Sequence, residues 1–146
     1  MRFIITGGSG FVGRHLIKQL HLQYPSIEIH NIDINQSDEL EDTIIYHDID
    51  LSEKNSLSKF KFEEDDVVFH LAAHIFHPEI PIRRKRKKYF EKLNVGGTRN
   101  LLECMRINGV KRIAFLSTCM VYGIPREKLI KTSHPLIPNG PYGSSK

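Results

Sequence analysis

The sequence predicts an α/β domain, a doubly wound parallel sheet with helices on both faces. Three observations predict it. Short apolar runs alternate with amphipathic helical patterns along the whole chain. The runs are nearly continuous in apolar character, as strands covered on both faces require. A glycine-rich turn, Thr6-Gly7-Gly8-Ser9-Gly10-Phe11-Val12-Gly13, joins the first run directly to the first helical pattern. Ligands of such sheets bind at the carboxyl ends of the strands, beside the point where strand order reverses.

The elements follow in order. Residues 3–5 make the first strand. Residues 11–22 place Val12, Leu16 and Leu20 on one helical face with Phe11 and Ile17 alongside, and Pro25 closes that helix. Residues 27–33 alternate and form the second strand, and residues 43–46 form the third. Residues 52–60 read as a short helix, with Ser52 as N-cap and Glu53 in its first turn. Residues 66–73 are a fourth strand running into a loop. A long helix is expected from about Lys87 to Asn108, closed by Gly109. Residues 111–117 form the fifth strand, drawing on Ile113, Phe115 and Leu116. Pro125, Pro135, Pro138 and Pro141 then mark a loop-rich stretch before a last helix near Tyr142.

Composition narrows the class. The 146 residues suit one domain, residues 1–146, and 40% apolar with 26% charged residues is ordinary for a soluble protein. No apolar stretch approaches the roughly 18 residues of a membrane span. The N-terminus reaches glycine too soon for a signal peptide. A cytoplasmic protein with no membrane partner is expected. Cys104 and Cys119 do not make a disulfide framework and are expected as reduced thiols in or near the core. Of the net charge of +4, residues 83–88 (Arg-Arg-Lys-Arg-Lys-Lys) alone supply six positive charges, while residues 38–66 lean acidic. The remainder is close to neutral, so no nucleic-acid partner is expected. The basic run reads as a solvated loop and first helical turn, with a contact to substrate phosphates as the alternative. His70, His74 and His77 have no helix to gather them, and no metal is expected.

The glycine turn carries chemistry. Glycines 7, 10 and 13 repeat every third residue, and glycines 8, 10 and 13 satisfy G-x-G-x-x-G. Such a turn needs permissive backbone, lets a pyrophosphate approach main-chain N–H groups, and packs helix close to strand. Asp33 ends the second strand twenty residues after Gly13. A carboxylate there accepts hydrogen bonds from the adenosine ribose and repels a 2′-phosphate, which favours NAD over NADP. Asp48-Ile49, just past the third strand, lies where an adenine ring is expected.

These residues, with His70-Leu71-Ala72-Ala73, Asn94-Val95-Gly96-Gly97-Thr98, Ser117-Thr118-Cys119-Met120-Val121-Tyr122-Gly123 and Pro141-Tyr142-Gly143-Ser144-Ser145-Lys146, occur in one order over the whole chain. In this the chain resembles the extended short-chain dehydrogenase/reductase superfamily, the NAD-dependent epimerase/dehydratase group. The resemblance implies a Rossmann-type sheet, here truncated before a C-terminal substrate domain. It implies a cofactor site at Gly7, Gly10, Phe11, Val12, Gly13, Asp33, Asp48, Ile49, Leu71, Ala72, Ala73, Asn94, Tyr142 and Lys146. Thr118, Tyr142 and Lys146 become the catalytic residues, Tyr142 and Lys146 matching the family's Tyr-x-x-x-Lys pair. His74 or His77 could face the substrate.

That pair makes chemical sense, since residues four apart share a helix face. A tyrosine of pKa about 10 is a poor base at neutral pH, and an ammonium one turn away favours its phenolate. The implied activity is Tyr-assisted hydride transfer at a secondary alcohol of a sugar nucleotide, in a homodimeric parent. A hydroxysteroid-type dehydrogenase and a non-catalytic NAD-binding remnant are the alternatives. A dehydratase is disfavoured, because Cys119-Met120 stand where such relatives tend to carry Asp-Glu. The chain stops on Lys146, about half the family's usual length, so catalytic incompleteness and fraying of Tyr142 and Lys146 are expected.

Overall fold

Phe3-Ile4-Ile5-Thr6 is wholly buried because both of its faces are covered, and it becomes the centre of the sheet. The computed structural model describes residues 1–40, 43–75, 83–125 and 127–146. Its elements are β1 (Phe3–Thr6), α1 (Phe11–Gln23), β2 (Ile29–Asp33), β3 (Ile45–Asp48), β4 (Val67–His70), α2 (Arg83–Phe90), α3 (Gly97–Ile107), β5 (Arg112–Phe115) and a single helical turn, α4 (Pro141–Ser144). The five strands are parallel in the order β3-β2-β1-β4-β5. Strand order therefore reverses between β1 and β4, where Thr6 stands beside His70.

Side chains of a strand alternate between faces, and the core divides accordingly. Ile4, Ile32 and Val68 meet Leu57, Phe60, Leu101 and Met105 on the α3 side. Phe3, Ile5 and Ile29 meet Ile17 and Leu20 of α1 on the other. Beneath the sheet, the wholly buried Asp66 accepts from Arg2 Nε at 2.9 Å, Arg2 Nη2 at 2.8 Å and the Glu63 amide at 2.8 Å. Asp66→Ala removes the buried carboxylate from the half-buried Arg2 guanidinium, leaving it Lys61 O at 2.9 Å and the exposed Glu63 carboxylate at 3.4 Å. We expect a loss of about 3 kcal/mol, read as a lower urea midpoint.

Several boundaries differ from the sequence reading. β2 begins at Ile29 and β3 at Ile45, each two residues late. The helix expected over 52–60 is a 3₁₀ turn at Ser56–Lys59, preceded by Asn55 in the left-handed region (φ 65°). Ser52 caps no helix; its amide donates to Asp50 Oδ1 at 2.8 Å, a local turn that competes with helix. The long helix begins at Arg83 and opens into a π-helical turn at Glu91–Gly96. The basic run is thus helical throughout rather than partly loop. Asn94, buried within the π turn, is drawn to the backbone of His74, and Gly97 lies against Leu51.

β5 has β4 as its only strand neighbour among the described residues, and it is exposed along its length. Cys104 packs half-buried against the core, where burial pushes its thiol pKa up. Cys119 is exposed, contrary to the expectation of a core thiol, because it sits on a surface 3₁₀ turn, Cys119–Tyr122. No helix among the described residues is long and apolar enough to cross a membrane.

Candidate functional site

A cavity of about 430 Å³ opens at the carboxyl ends of β1, β2 and β4, at the reversal of strand order. The glycine turn forms its floor. Gly7 has φ +75°, and a Cβ there would stand 2.6 Å from the Ala72 amide nitrogen. A Cβ on Gly13 would stand 2.3 Å from the Gly7 carbonyl oxygen. Strand, turn and helix are therefore packed backbone to backbone. Gly10 precedes α1 without any side-chain cap, and no acidic residue occupies the first helical turn. The first amides of α1 are left for a ligand, and a helix N-terminus suits an anion.

The Asp33 carboxylate reaches the cavity from the end of β2, accepting from Ser9 N and Asn35 N, both at 3.1 Å. Asp48 ends β3, exposed, and is absent from the cavity lining; Ile49, Asp50, Leu51 and Ser52 line it. Ser52 Oγ is buried with no protein partner among the described residues. Leu71, Ala72 and Ala73 form the opposite wall, and the Ala72 amide donates to Thr6 Oγ1 at 3.3 Å.

His70, almost wholly buried, has Nδ1 at 2.6 Å from Thr6 Oγ1 and Nε2 at 2.8 Å from Thr98 Oγ1. Burial, with the Lys146 charge as a second cause, lowers its pKa to about 4. His74 also lines the cavity, with Nδ1 at 3.0 Å from the Tyr89 hydroxyl. His77 lies outside the described residues.

Asn94 ties the cavity to α4. Its Oδ1 accepts from His74 N at 2.8 Å, and its Nδ2 donates to His74 O at 3.1 Å and Ser145 Oγ at 2.9 Å. Ser145 Oγ in turn donates to Tyr142 O at 2.7 Å. The Tyr142 ring rests on Phe90 with centroids 5.8 Å apart. Gly143 is buried, and a Cβ on it would approach Met120 O to 2.5 Å. The turn bearing Tyr142 is therefore held from two sides, by Asn94 through Ser145 and by Phe90 under the ring.

Thr118, half-buried, caps the Cys119–Tyr122 turn, its Oγ1 accepting from Met120 N at 3.3 Å. Lys146 Nζ lies 4.5 Å from the Phe115 ring centroid, and burial lowers its pKa. It borders a second groove of about 660 Å³ between α3 and β5, with Thr98, Leu102, Ile113 and Phe115. The structure thus gathers Gly7, Gly10, Phe11, Val12, Gly13, Asp33, Ile49, Leu71, Ala72, Ala73 and Asn94 around one cavity. Thr118, Tyr142 and Lys146 do not line it. The sequence marks none of Ser9, Asn35, Asp50, Ser52 and Ser145 as a site residue, Ser52 being read only as a helix cap. Only Asp50 left a signal, since Asp48-Ile49-Asp50-Leu51 repeats one acidic-aliphatic pattern.

The profile of the NAD dependent epimerase/dehydratase family matches residues 3–146. The UDP-glucose 4-epimerase of Lacticaseibacillus casei is 33% identical over 148 residues, covering 100% of this chain and 44% of that protein. A crystal structure of UDP-galactose 4-epimerase superposes with a TM-score of 0.84 at 30% identity, covering 100% of this chain and 48% of the other. The dTDP-glucose 4,6-dehydratase DesIV of Streptomyces venezuelae, solved with NAD bound, superposes with a TM-score of 0.83 at 30% identity, with the same coverage of 100% and 48%. The chain spans about half the length of these proteins.

Proposed function

The chain belongs to the NAD dependent epimerase/dehydratase family, and from that membership we propose that it forms the NAD-binding part of an oxidoreductase acting on a secondary alcohol of a sugar nucleotide. One observation carries the reading. A single cavity joins the uncapped N-terminus of α1 and the Asp33 carboxylate at one end to Asn94 at the other, and Asn94 holds the turn bearing Tyr142.

The residues fit the cofactor. The amides at the start of α1 meet the pyrophosphate, and a side chain on Gly7 or Gly13 would break the turn that presents them. Asp33 meets the adenosine ribose, which makes NAD the ligand and NADP the poorer one. Asp50 lines the cavity where Asp48 does not and would be the carboxylate nearer a bound adenine, as would the Ser52 Oγ, which has no partner among the described residues. NAD, when bound, accepts and returns a hydride. The Tyr142 phenolate oxygen, favoured by the Lys146 ammonium, takes the proton of the substrate hydroxyl, and the resulting hydroxyl gives it back. Thr118 Oγ1 holds the substrate oxygen. UDP-glucose 4-epimerases among the relatives favour epimerisation of a UDP-hexose. The whole protein is a cytoplasmic homodimer with no nucleic-acid partner.

Asp33→Ala tests the cofactor assignment. Removing the carboxylate relieves repulsion of the 2′-phosphate and deletes a ribose contact, so the ratio of NAD to NADP affinity should fall about tenfold or more. An unchanged ratio in competition binding contradicts the assignment.

A further inference from the structure

His70 is engaged on every side. Its two ring nitrogens meet Thr6 Oγ1 of β1 at 2.6 Å and Thr98 Oγ1 of α3 at 2.8 Å. Its carbonyl accepts from Leu116 N at 3.1 Å, just past β5. Its ring lies against that of Phe115, with centroids 5.5 Å apart and planes tilted by 32°. The Phe115 ring in turn carries the Lys146 ammonium, 4.5 Å from its centroid. A neutral imidazole suits this setting, since one nitrogen donates to a threonine oxygen and the other accepts from a threonine hydroxyl. A charged imidazolium would make both nitrogens donors, and it would place a second cation behind the ring that holds the first. Lys146 is the charged group that bears on His70, while Thr6, Thr98 and Phe115 are neutral.

We propose that His70 is a positioning residue: riveted as a neutral ring between Thr6 and Thr98, it fixes Phe115 as the platform on which the Lys146 ammonium stands. The significance of that position for catalysis rests on the role given to Lys146 under Proposed function. Protonation of His70 turns both ring nitrogens into donors to the threonine oxygens and sets a second cation against Lys146, so the Lys146 charge disfavours the charged ring.

The test follows both titrations by NMR on the full 146-residue chain, reading the His70 ring proton and the dimethylated Lys146 side chain. In the parent chain His70 titrates near pH 4. Lys146→Met should raise that midpoint by about half a unit or more, because a repelling charge is gone. His70→Asn should return Lys146 upward, towards its ordinary value, because a loosened Phe115 exposes the ammonium whose burial lowers its pKa. Thr98→Val, which deletes one rivet and keeps the ring, should do the same to a smaller extent and serves if His70→Asn does not fold. Unmoved midpoints for His70 in Lys146→Met, and for Lys146 in His70→Asn or Thr98→Val, overturn the proposal. None of these readouts uses NAD or turnover, so a failure of the oxidoreductase reading would show separately, as loss of NAD binding with the coupling intact.

Discussion

Gly13→Ala is expected to lower the stability of the chain by about 3 kcal/mol, or about 10 °C in Tm for a domain of this size, and to abolish NAD binding. The added methyl would stand 2.3 Å from Gly7 O, 2.5 Å from Gly8 Cα and 2.7 Å from Gly8 O. All three are backbone atoms, so no rotamer can yield, and α1 must move off the strand. Gly7→Ala is expected to match it, since a left-handed φ of +75° compounds contacts of 2.6 Å and 2.7 Å to the Ala72 backbone. Gly10→Ala is the informative control. Its nearest atom is Gly7 O at 3.3 Å, and its φ of −72° is one that any residue adopts. We expect a cost below about 1 kcal/mol there. Thermal melts of the three variants separate backbone packing from mere glycine flexibility, which predicts equal losses.

The second large effect is with acid. His70 has a folded pKa of about 4 against an ordinary value of 6.5, because burial disfavours the charged ring. The unfolded chain therefore binds this proton first, and stability present above pH 6.5 drains away as pH falls towards 4. The difference corresponds to about 3 kcal/mol lost by pH 4. His47 acts in the same direction. Its Nε2 lies 2.8 Å from His30 Nδ1, and burial, with the His30 charge next, lowers its pKa. Urea unfolding across pH 7.5 to 4 should show this decline, and His70→Asn should flatten most of it. A parent curve with no decline above pH 4.5 contradicts the assignment of a buried neutral ring.

The fold was legible where physics is local and repetitive. Apolar runs placed all five strands, and the glycine turn announced both the first crossover and the ligand site. The parallel order follows from strands covered on both faces, as the burial of Ile4, Ile5 and Val68 bears out. What escaped is governed by contacts distant in sequence. Asn94 meets His74 twenty residues away, and the π turn it occupies leaves no trace in the 3.6-residue pattern. The shift of β3 to Ile45–Asp48 moved the acidic residue that faces the cavity from Asp48 to Asp50. Two acidic-aliphatic pairs in succession could not be told apart until a strand end chose between them. The polar groups around His70 were likewise unreadable, since Thr6 and Thr98 look like ordinary strand and helix threonines until the fold brings them to one ring.

Calorimetric titration of the 146-residue chain with NAD, and separately with NADP, tests the central claim most directly. A single site per chain that binds NAD more tightly than NADP is the predicted result. Absence of NAD binding by a folded chain, or tighter binding of NADP, would contradict the account.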